Sequence, residues 1–377
     1  MTVYLDNAAT TPPCPEVVAV MSGVLASDYG NPSSLHAPGR QAKRTLEAAR
    51  AAVAAPLGAD PGEIYFTSGG TEANNWAIFG AARKLRRRGR HLILTAIEHD
   101  SVEKPAAYLE SQGFRVTRLA PDETGGVSLS RLEAALEPDT ILVSVMLVNN
   151  ETGAVLPVRE MAALTRAKSG ALFHTDAVQG FLKLPISVRN IGADLLTVSA
   201  HKLHGPKGVG ALWIKKGVTL PPLHFGGGQE SGARSGTEPL HNIAGFGAAA
   251  ELGVAHMAAF SADCVRLQAQ IRETLGGAFS SARFLPMGAP HILNLSLPGA
   301  KSEVLLNALD AKGVCVSRGS ACKKGRRSHV LSAMNLPPAV IDGSLRVSFS
   351  RYTTREEAAA FCAALTDAVR TLFPSVK

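Results

Sequence analysis

The residues best suited to chemistry lie where an apolar run ends in a glycine-rich turn. Ser199, His201 and Lys202 follow the run that begins at Leu195, which is typical of a buried strand. A lysine at a buried strand end is unfavourable unless it is paired or neutral. A desolvated amine has a lowered pKa, so it can attack a carbonyl and remain bonded as a Schiff base. The alternative is a surface turn that also contains Lys207.

A second candidate lies in the segment Phe66–Asn75, which predicts a strand, a glycine turn and a helix start. Free N–H groups at a helix N-terminus bind phosphate, and Thr71 adds a hydroxyl. The segment has neither the lysine of a P-loop nor a Gly-x-Gly-x-x-Gly pattern, so a nucleotide site is disfavoured. A simple helix cap remains the alternative.

Two further strand ends carry polar residues. His99 follows one strand and could serve as an acid, a base or a flat stacking surface, although an isolated histidine is more often structural. Asp176 ends another strand, with Gln179 three residues later. A buried carboxylate requires a cationic partner, and a protonated pyridine nitrogen is one. The segment Val148–Gly153 offers amide groups at yet another strand end.

These segments must be positioned by a fold in which strands and helices alternate between residues 64 and 214. Such alternation predicts a mostly parallel sheet covered by helices, with ligands at the carboxyl ends of the strands. Residues 1–40 show little periodicity and are predicted to be a long ordered loop, followed by a helix over 40–55. Helices over 241–282 lead to a second, smaller α+β unit. The predicted strands are Ile64–Thr67, His91–Thr95, Arg115–Leu119, Ile141–Leu147, Leu172–Asp176, Leu195–Ser199 and Val209–Ile214.

Composition limits the class of protein. The 377 residues are 46% hydrophobic and 19% charged, as in a globular protein of more than one domain. No signal peptide or membrane segment is predicted, and a cytoplasmic location is expected. Five cysteines without a Cys-x-x-Cys pair argue against disulfides and a structural metal. The net charge of +8 favours acidic partners, whereas the basic run Lys84–Arg90 is interpreted as a solvated helix end.

A phosphate cup, a flat histidine, a buried aspartate and a strand-end lysine together describe a pyridoxal 5′-phosphate (PLP) site. Here the chain resembles the cysteine desulfurases of the NifS/IscS type, within the class V aminotransferase-like PLP enzymes of fold type I. The resemblance extends over nearly the whole chain. The motifs that carry it are Leu5-Asp-Asn-Ala-Ala-Thr-Thr, Asn31-Pro-Ser-Ser-Leu-His, Thr67-Ser-Gly-Gly-Thr-Glu-Ala-Asn-Asn, Glu98-His, Val148-Asn-Asn-Glu-Thr-Gly, His174-Thr-Asp-Ala-Val-Gln, Ser199-Ala-His-Lys, Arg234-Ser-Gly-Thr, Gly319-Ser-Ala-Cys and Leu345-Arg-Val-Ser.

The resemblance implies an α/β fold with a seven-stranded, mostly parallel sheet in a large domain over 16–258, and a small domain over 1–15 and 259–377. It also implies a homodimer that acts on L-cysteine. The implied site residues are Lys202 for the covalent bond to PLP; His99 for stacking on the ring and proton transfer; Asp176 for the ring nitrogen; Asn149 and Gln179 for the ring hydroxyl side; Gly70, Thr71, Ser199 and His201 for the phosphate; Thr237 for the phosphate of the neighbouring subunit; and Arg346, with Asn149, for the substrate.

Cys322 is implied to receive the sulfur as a persulfide. It lies in a glycine- and lysine-rich segment that predicts a mobile loop, and the nearby Lys323, Lys324, Arg326 and Arg327 should favour the thiolate. The segment after Cys322 is shorter and more basic than the common family form. We therefore expect an acidic acceptor surface, either an iron–sulfur scaffold or a tRNA thiolation enzyme, and no direct contact with nucleic acid.

Two other interpretations remain. One is a different PLP enzyme, such as a selenocysteine lyase, another lyase or an aminotransferase, although an aminotransferase has no use for a loop thiol. The other is a non-enzymatic scaffold or tRNA-binding protein, suggested by the charge. The complete set of predicted PLP residues argues against an inactive scaffold.

Overall fold

The chain forms a large α/β layer structure beside a smaller α+β unit. The computed structural model describes residues 2–318 and 327–376, so Cys322 and the rest of the predicted loop lie outside the described residues. The strands are β1 (Val3–Tyr4), β2 (Ile64–Thr67), β3 (His91–Thr95), β4 (Arg115–Leu119), β5 (Thr140–Ser144), β6 (Leu172–Asp176), β7 (Leu195–Ser199), β8 (Gly210–Ile214), β9 (Arg283–Phe284), β10 (Ile292–Ser296), β11 (Val314–Cys315) and β12 (Ser344–Ser348).

The helices fall mainly between the strands, as the alternating pattern predicted. They are α1 (Pro15–Ser27), α2 (Ala37–Ala54), α3 (Gly70–Leu85), α4 (Asp100–Ser111), α5 (Leu129–Ala135), α6 (Val158–Lys168), α7 (Val188–Ile191), α8 (Leu240–Ala278), α9 (Ser302–Asp310), α10 (His329–Ala333), α11 (Pro338–Asp342) and α12 (Arg355–Leu372).

The central sheet has seven strands in the order β2-β8-β7-β6-β5-β3-β4. β8 runs antiparallel to both β2 and β7, and the remaining pairs are parallel. The prediction of a mostly parallel sheet is confirmed. Because parallel strands end at the same edge, the polar residues that follow β2, β3, β5, β6 and β7 are brought to one side of the sheet.

The smaller unit has its own apolar core. β12, β10 and β9 form an antiparallel sheet, while β1 from the N-terminus pairs in parallel with β11. Leu5 and side chains of β10, β12 and α12 share one buried cluster. α8 links this cluster to the core beneath the large sheet, since Phe246 packs in the latter and Leu267 in the former. The domain boundaries at 15/16 and 258/259 stay a prediction.

The largest differences between the predicted elements and the structure concern α1, α8 and β5. Residues 15–27 form α1 rather than loop; only Val17 of this helix is buried, so its sequence lacks the apolar stripe by which helices are recognised. The helices predicted over 241–282 are one uninterrupted helix, α8. β5 ends at Ser144 instead of Leu147, because the chain leaves the strand ladder while still buried.

Among the described residues, one helix, α8, is long enough and apolar enough to cross a membrane, judged by length and composition alone. That property is weak evidence, because helices in the core of a folded domain share it. Here α8 packs against α1, α2 and α12 and contributes side chains to both cores.

Candidate active site

A cavity of about 530 Å³ opens at the carboxyl edge of the large sheet. Its walls come from seven segments far apart in the sequence, and five of these lie at or after the ends of β2, β3, β5, β6 and β7, which end at this edge. Most of the predicted site residues line it: Gly70, Thr71, His99, Asp176, Gln179, Ser199, His201, Lys202 and Arg346.

Lys202 lies in the short 3-10 turn that continues from β7. Its Nζ donates hydrogen bonds to the carbonyl oxygens of Ala8 (2.7 Å) and Ala9 (2.6 Å). Burial, with a smaller effect from the Arg346 cation, lowers the pKa of Lys202 to about 8. More of this amine is therefore neutral near physiological pH than in an ordinary lysine, and the neutral form is the one that attacks a carbonyl.

A cup of hydrogen-bond donors surrounds the start of α3. The first N–H groups of an α-helix have no acceptor within the helix, and Gly70 and Thr71 occupy these positions. The Ser199 Oγ is buried without a partner in the described structure. A Cβ on Gly70 would approach Val178 Cγ2 to 2.9 Å, so the close packing of α3 against this wall requires glycine.

Asp176 and His99 are joined by a chain of hydrogen bonds. Asn74 Nδ2 donates to Asp176 Oδ2 (2.7 Å) and to Ser101 Oγ (2.8 Å). The backbone N–H of Ser101 donates to His99 Nδ1 at 3.1 Å, so the proton of a neutral His99 must lie on Nε2. Asn74 is a positioning residue that the sequence analysis missed, although it lies within a quoted motif.

Arg346 is buried at the wall formed by β12. Its Nη2 pairs with Asp6 Oδ1 at 2.7 Å and its Nη1 donates to the carbonyl oxygen of Asn150 at 2.8 Å, while the buried Nε has no partner in the described structure. Asp6 thus orients the guanidinium predicted to bind the substrate carboxylate. Sequence reasoning gave Asp6 no role, because its partner is 340 residues away.

The structure corrects the prediction for Asn149, which does not line the cavity. The Asn149 side chain is fully buried and is used inside the turn: Nδ2 donates to the carbonyl oxygen of Ile97, and Oδ1 accepts from the N–H groups of Glu151 and Thr152. Its neighbour Asn150 lines the cavity instead. The two adjacent asparagines are equivalent in sequence, and only the conformation of the turn distinguishes them.

Two predicted residues lie away from the cavity of the single chain or outside the described residues. Thr237 is exposed and does not line the cavity, so its predicted role on a neighbouring subunit's phosphate stays a prediction. Cys322 lies outside the described residues.

Gln179 lines the cavity and donates from Nε2 to the carbonyl oxygen of Ala8 at 2.8 Å.

The residues present fit PLP. The cup at α3 offers unused N–H groups and the orphaned Ser199 hydroxyl, which suit a phosphate ester. The Asp176 carboxylate suits a protonated ring nitrogen, and the Lys202 amine suits an aldehyde. The cavity volume lies within the range of small-molecule sites.

Comparison with known proteins gives the same assignment. The model of the aminotransferase class-V family matches residues 3–361. A cysteine desulfurase IscS from Methanosarcina thermophila is 42% identical over 362 residues, which cover 94% of this chain and 89% of that protein.

Two solved structures are similar over most of the chain. A NifS-like protein superposes with a TM-score of 0.94 at 37% identity, covering 99% of this chain and 100% of that one. A structure of SspA in complex with cysteine gives a TM-score of 0.83 at 34% identity, covering 94% of this chain and 100% of that one. The chain therefore belongs to the cysteine desulfurases, PLP-dependent enzymes of the class-V aminotransferase family.

Proposed function

We propose that this enzyme converts L-cysteine to L-alanine and transfers the sulfur to Cys322. The observation that carries the proposal is the convergence of Lys202, Asp176, His99 and Arg346 on one cavity. A buried amine of lowered pKa, a carboxylate for a pyridine nitrogen, a proton carrier and a carboxylate-binding cation are the parts that the reaction needs. Three of them come from separate strand ends and Arg346 comes from within β12 of the smaller unit, so their meeting is a property of the fold.

PLP, when bound here, supplies an electron sink that allows bonds at the Cα and Cβ atoms of an amino acid to break. Lys202 provides the amine that holds the cofactor. Asp176, oriented by Asn74 and by the backbone N–H of Val178 (2.9 Å), holds the proton of the ring nitrogen. His99 carries a proton on Nε2 and can exchange it inside the cavity.

Arg346 supports an amino acid substrate. A planar guanidinium makes two parallel hydrogen bonds to a carboxylate, and its pairing with Asp6 fixes its plane. The similar SspA was solved with cysteine. We infer from this resemblance that L-cysteine occupies the cavity with its carboxylate at Arg346.

Cys322 accepts the sulfur of the substrate. Its thiolate bonds to the sulfur of cysteine, the Cβ–S bond breaks, and Cβ gains a proton. The products are L-alanine and a Cys322 persulfide, so no external oxidant is consumed. Several cations close to Cys322 in sequence, among them Lys323 and Lys324, favour the thiolate.

The remaining expectations concern partners. We propose a homodimer in which Thr237 reaches the neighbouring subunit's phosphate; the exposure of Thr237 in the single chain supports this. We also propose an acceptor with an acidic surface. Reversing the charge of Lys323 and Lys324 should slow sulfur transfer to that acceptor more than it slows alanine formation, and equal effects on both would contradict this idea.

The test is to incubate the PLP-loaded enzyme with L-cysteine in the absence of reductant. Alanine is quantified, and added sulfur is mapped by intact-mass and peptide mass spectrometry. We expect alanine to form together with one additional sulfur on Cys322. Cys322→Ala should lose this sulfur, whereas the matched variant Cys315→Ala, which alters a partly exposed cysteine, should keep it.

The possible outcomes test the persulfide step and the identity of the substrate separately. Alanine formation with an unmodified Cys322 would contradict the persulfide step. Visible absorbance from bound PLP without alanine would contradict the substrate, and selenocysteine would be tested next.

A further inference from the structure

A band of cations lies at the amino edge of the large sheet, opposite the cavity. β3, β5, β6 and β7 begin at this edge, and the antiparallel β8 ends there. The segments that precede the parallel strands, together with Lys216 after β8, are therefore neighbours in space. We call the following residues the amino-edge band: Arg86, Arg87, Arg88, Arg90, Arg166, Arg189 and Lys216.

Several contacts place these residues along the strand starts. Arg88 donates to the carbonyl oxygen of Gly170, just before β6, and Arg166 donates to that of Gly192, before β7. The Arg90 guanidinium lies 5.9 Å from the centre of the Phe114 ring, before β4. Neighbouring strands are about 4.8 Å apart, so a band from β8 to β3 extends over about 20 Å.

The positive charge of this band is not neutralised within the described residues. All of its members are exposed, and none is within ion-pair distance of a described carboxylate. The nearby carboxylates already have partners: Asp194 pairs with Lys215 (3.0 Å), and Glu137 and Asp139 both pair with Arg115 (2.7 Å each). Glu63 accepts hydrogen bonds from the indole N–H of Trp213 (3.1 Å) and the backbone N–H of Lys216 (2.7 Å), so its single negative charge offsets only one of the seven cations. The edge therefore retains a surplus of positive charge.

Helix dipoles explain only part of this surplus. Cations are favourable at helix C-termini, and α3 and α6 both end at this edge, which accounts for residues such as Arg166. Arg87, Arg90 and Lys216 lie outside the helices. Their accumulation beside the helix ends exceeds what the dipoles favour.

The surroundings distinguish between classes of anionic partner. A protein interface usually has an apolar centre with aromatic anchors, yet the exposed large hydrophobic side chains of the described chain, such as Tyr29, Leu35 and Phe225, lie in other segments. Contacts to a phosphate backbone need only arginine and lysine. Without exposed aromatic side chains the band offers no platform for unpaired bases, which favours a duplex.

We propose that the amino-edge band binds the phosphate backbone of a double-stranded nucleic acid without reading its sequence. Sequence analysis predicted no direct contact with nucleic acid, because the run Lys84–Arg90 alone is explained by a helix end. The folded chain adds Arg166, Arg189 and Lys216 to that run. Both DNA and RNA duplexes present the required charge.

The experiment measures the fluorescence anisotropy of labelled DNA and RNA duplexes of about 20 base pairs with the PLP-loaded, full-length enzyme. We expect the affinity to fall steeply between about 50 and 200 mM salt, because counterions are released on binding. The affinities for the two duplexes are compared, and the duplex that binds more tightly shows whether the band favours DNA or RNA. Failure to bind either duplex at about 50 mM salt would overturn the proposal.

A matched pair of triple variants tests the location. Arg86→Gln/Arg87→Gln/Lys216→Gln removes three cations that make no side-chain hydrogen bond or ion pair with described residues. It should weaken duplex binding by at least about tenfold and reduce the salt slope by roughly two to three.

The control variant Arg283→Gln/Lys301→Gln/Arg370→Gln removes the same charge from exposed positions of the smaller unit. It should leave binding within about twofold. Equal weakening in both variants would show an effect of net charge alone and overturn the proposal. Equally tight binding of polyglutamate would overturn the nucleic acid assignment in favour of an acidic protein. Alanine formation, measured in parallel, should change in neither variant, so the test is independent of the desulfurase reaction.

Discussion

The two edges of the seven-stranded sheet carry charged residues in opposite physical settings. At the carboxyl edge Arg346 is buried and Lys202 is partly buried, and each donates hydrogen bonds to the N-terminal segment. At the amino edge Arg86 and Arg87 are exposed and lack a carboxylate partner within the described residues. Desolvation changes the pKa of a group and fixes its position, which suits chemistry, whereas hydration preserves long-range attraction, which suits docking.

The largest effect should come from removing the Lys202 amine. Lys202→Ala should reduce alanine formation from L-cysteine by at least about a thousandfold, because no other amine of the described residues occupies its position. Lys207→Ala is the matched control, since Lys207 also lines the cavity but is exposed. Its activity should stay within about threefold of the original. Comparable losses in both variants would contradict the assignment of Lys202.

The pH dependence of cofactor uptake should report the burial of Lys202. Burial lowers its pKa to about 8, and only the neutral amine bonds to an aldehyde. The uptake rate of the cofactor-free protein should therefore rise about tenfold per pH unit below that value and level off above it. Visible absorbance in stopped-flow experiments measures this rate. A midpoint near the ordinary lysine value would show that Lys202 is hydrated like the cations of the amino edge.

A smaller effect should follow from loosening Arg346. Asp6→Asn keeps an oxygen acceptor but removes the charge that pairs with Nη2, so the KM for L-cysteine should rise about tenfold while kcat changes less than about threefold. L-cysteine methyl ester, which lacks the carboxylate, should be affected little, and Asp6→Glu should restore part of the loss. Steady-state kinetics with both substrates checks this.

Asp367→Asn is the control, since Asp367 pairs with Lys312 at an exposed position of the smaller unit. It should change neither substrate's KM. Equal losses for the acid and the ester in Asp6→Asn would indicate a general structural defect.

The smallest effect should be that of single charges at the amino edge. Lys215→Gln breaks a half-exposed pair with Asp194 and should reduce the free energy of unfolding by less than about 1 kcal/mol. Its kcat/KM for L-cysteine should remain within about twofold. Urea unfolding and steady-state kinetics measure the two quantities. A loss of activity would mean that the two edges are coupled.

The elements of the fold that follow apolar periodicity could be predicted from the sequence. The bounds of β2, β3, β4, β6 and β7 are as predicted. Four of these strands are short, mostly buried runs, whereas β4, at the edge of the sheet, is a partly exposed strand that contains Arg115, Thr117 and Arg118. α1 was missed because its apolar residues do not lie on one face. α8 was divided because its many alanines and glycines resemble helix ends.

The site could be predicted as far as residue types and strand ends allow. Lys202, Asp176 and His99 line the cavity, as predicted, because Asp176 ends β6 and the other two follow β7 and β3 within a few residues. The choice between Asn149 and Asn150 depended on the geometry of a turn, and the role of Asp6 depended on a contact between the two ends of the chain. Such long-range or conformational information has no local sequence pattern.

A crossover experiment tests the division between the two edges most directly. Alanine formation and duplex binding are measured for Lys202→Gln and for Arg86→Gln/Arg87→Gln/Lys216→Gln. We predict that the first variant loses alanine formation and keeps duplex binding, while the second keeps alanine formation and loses binding. Loss of both properties in either variant, or loss of alanine formation in the second, would contradict the account.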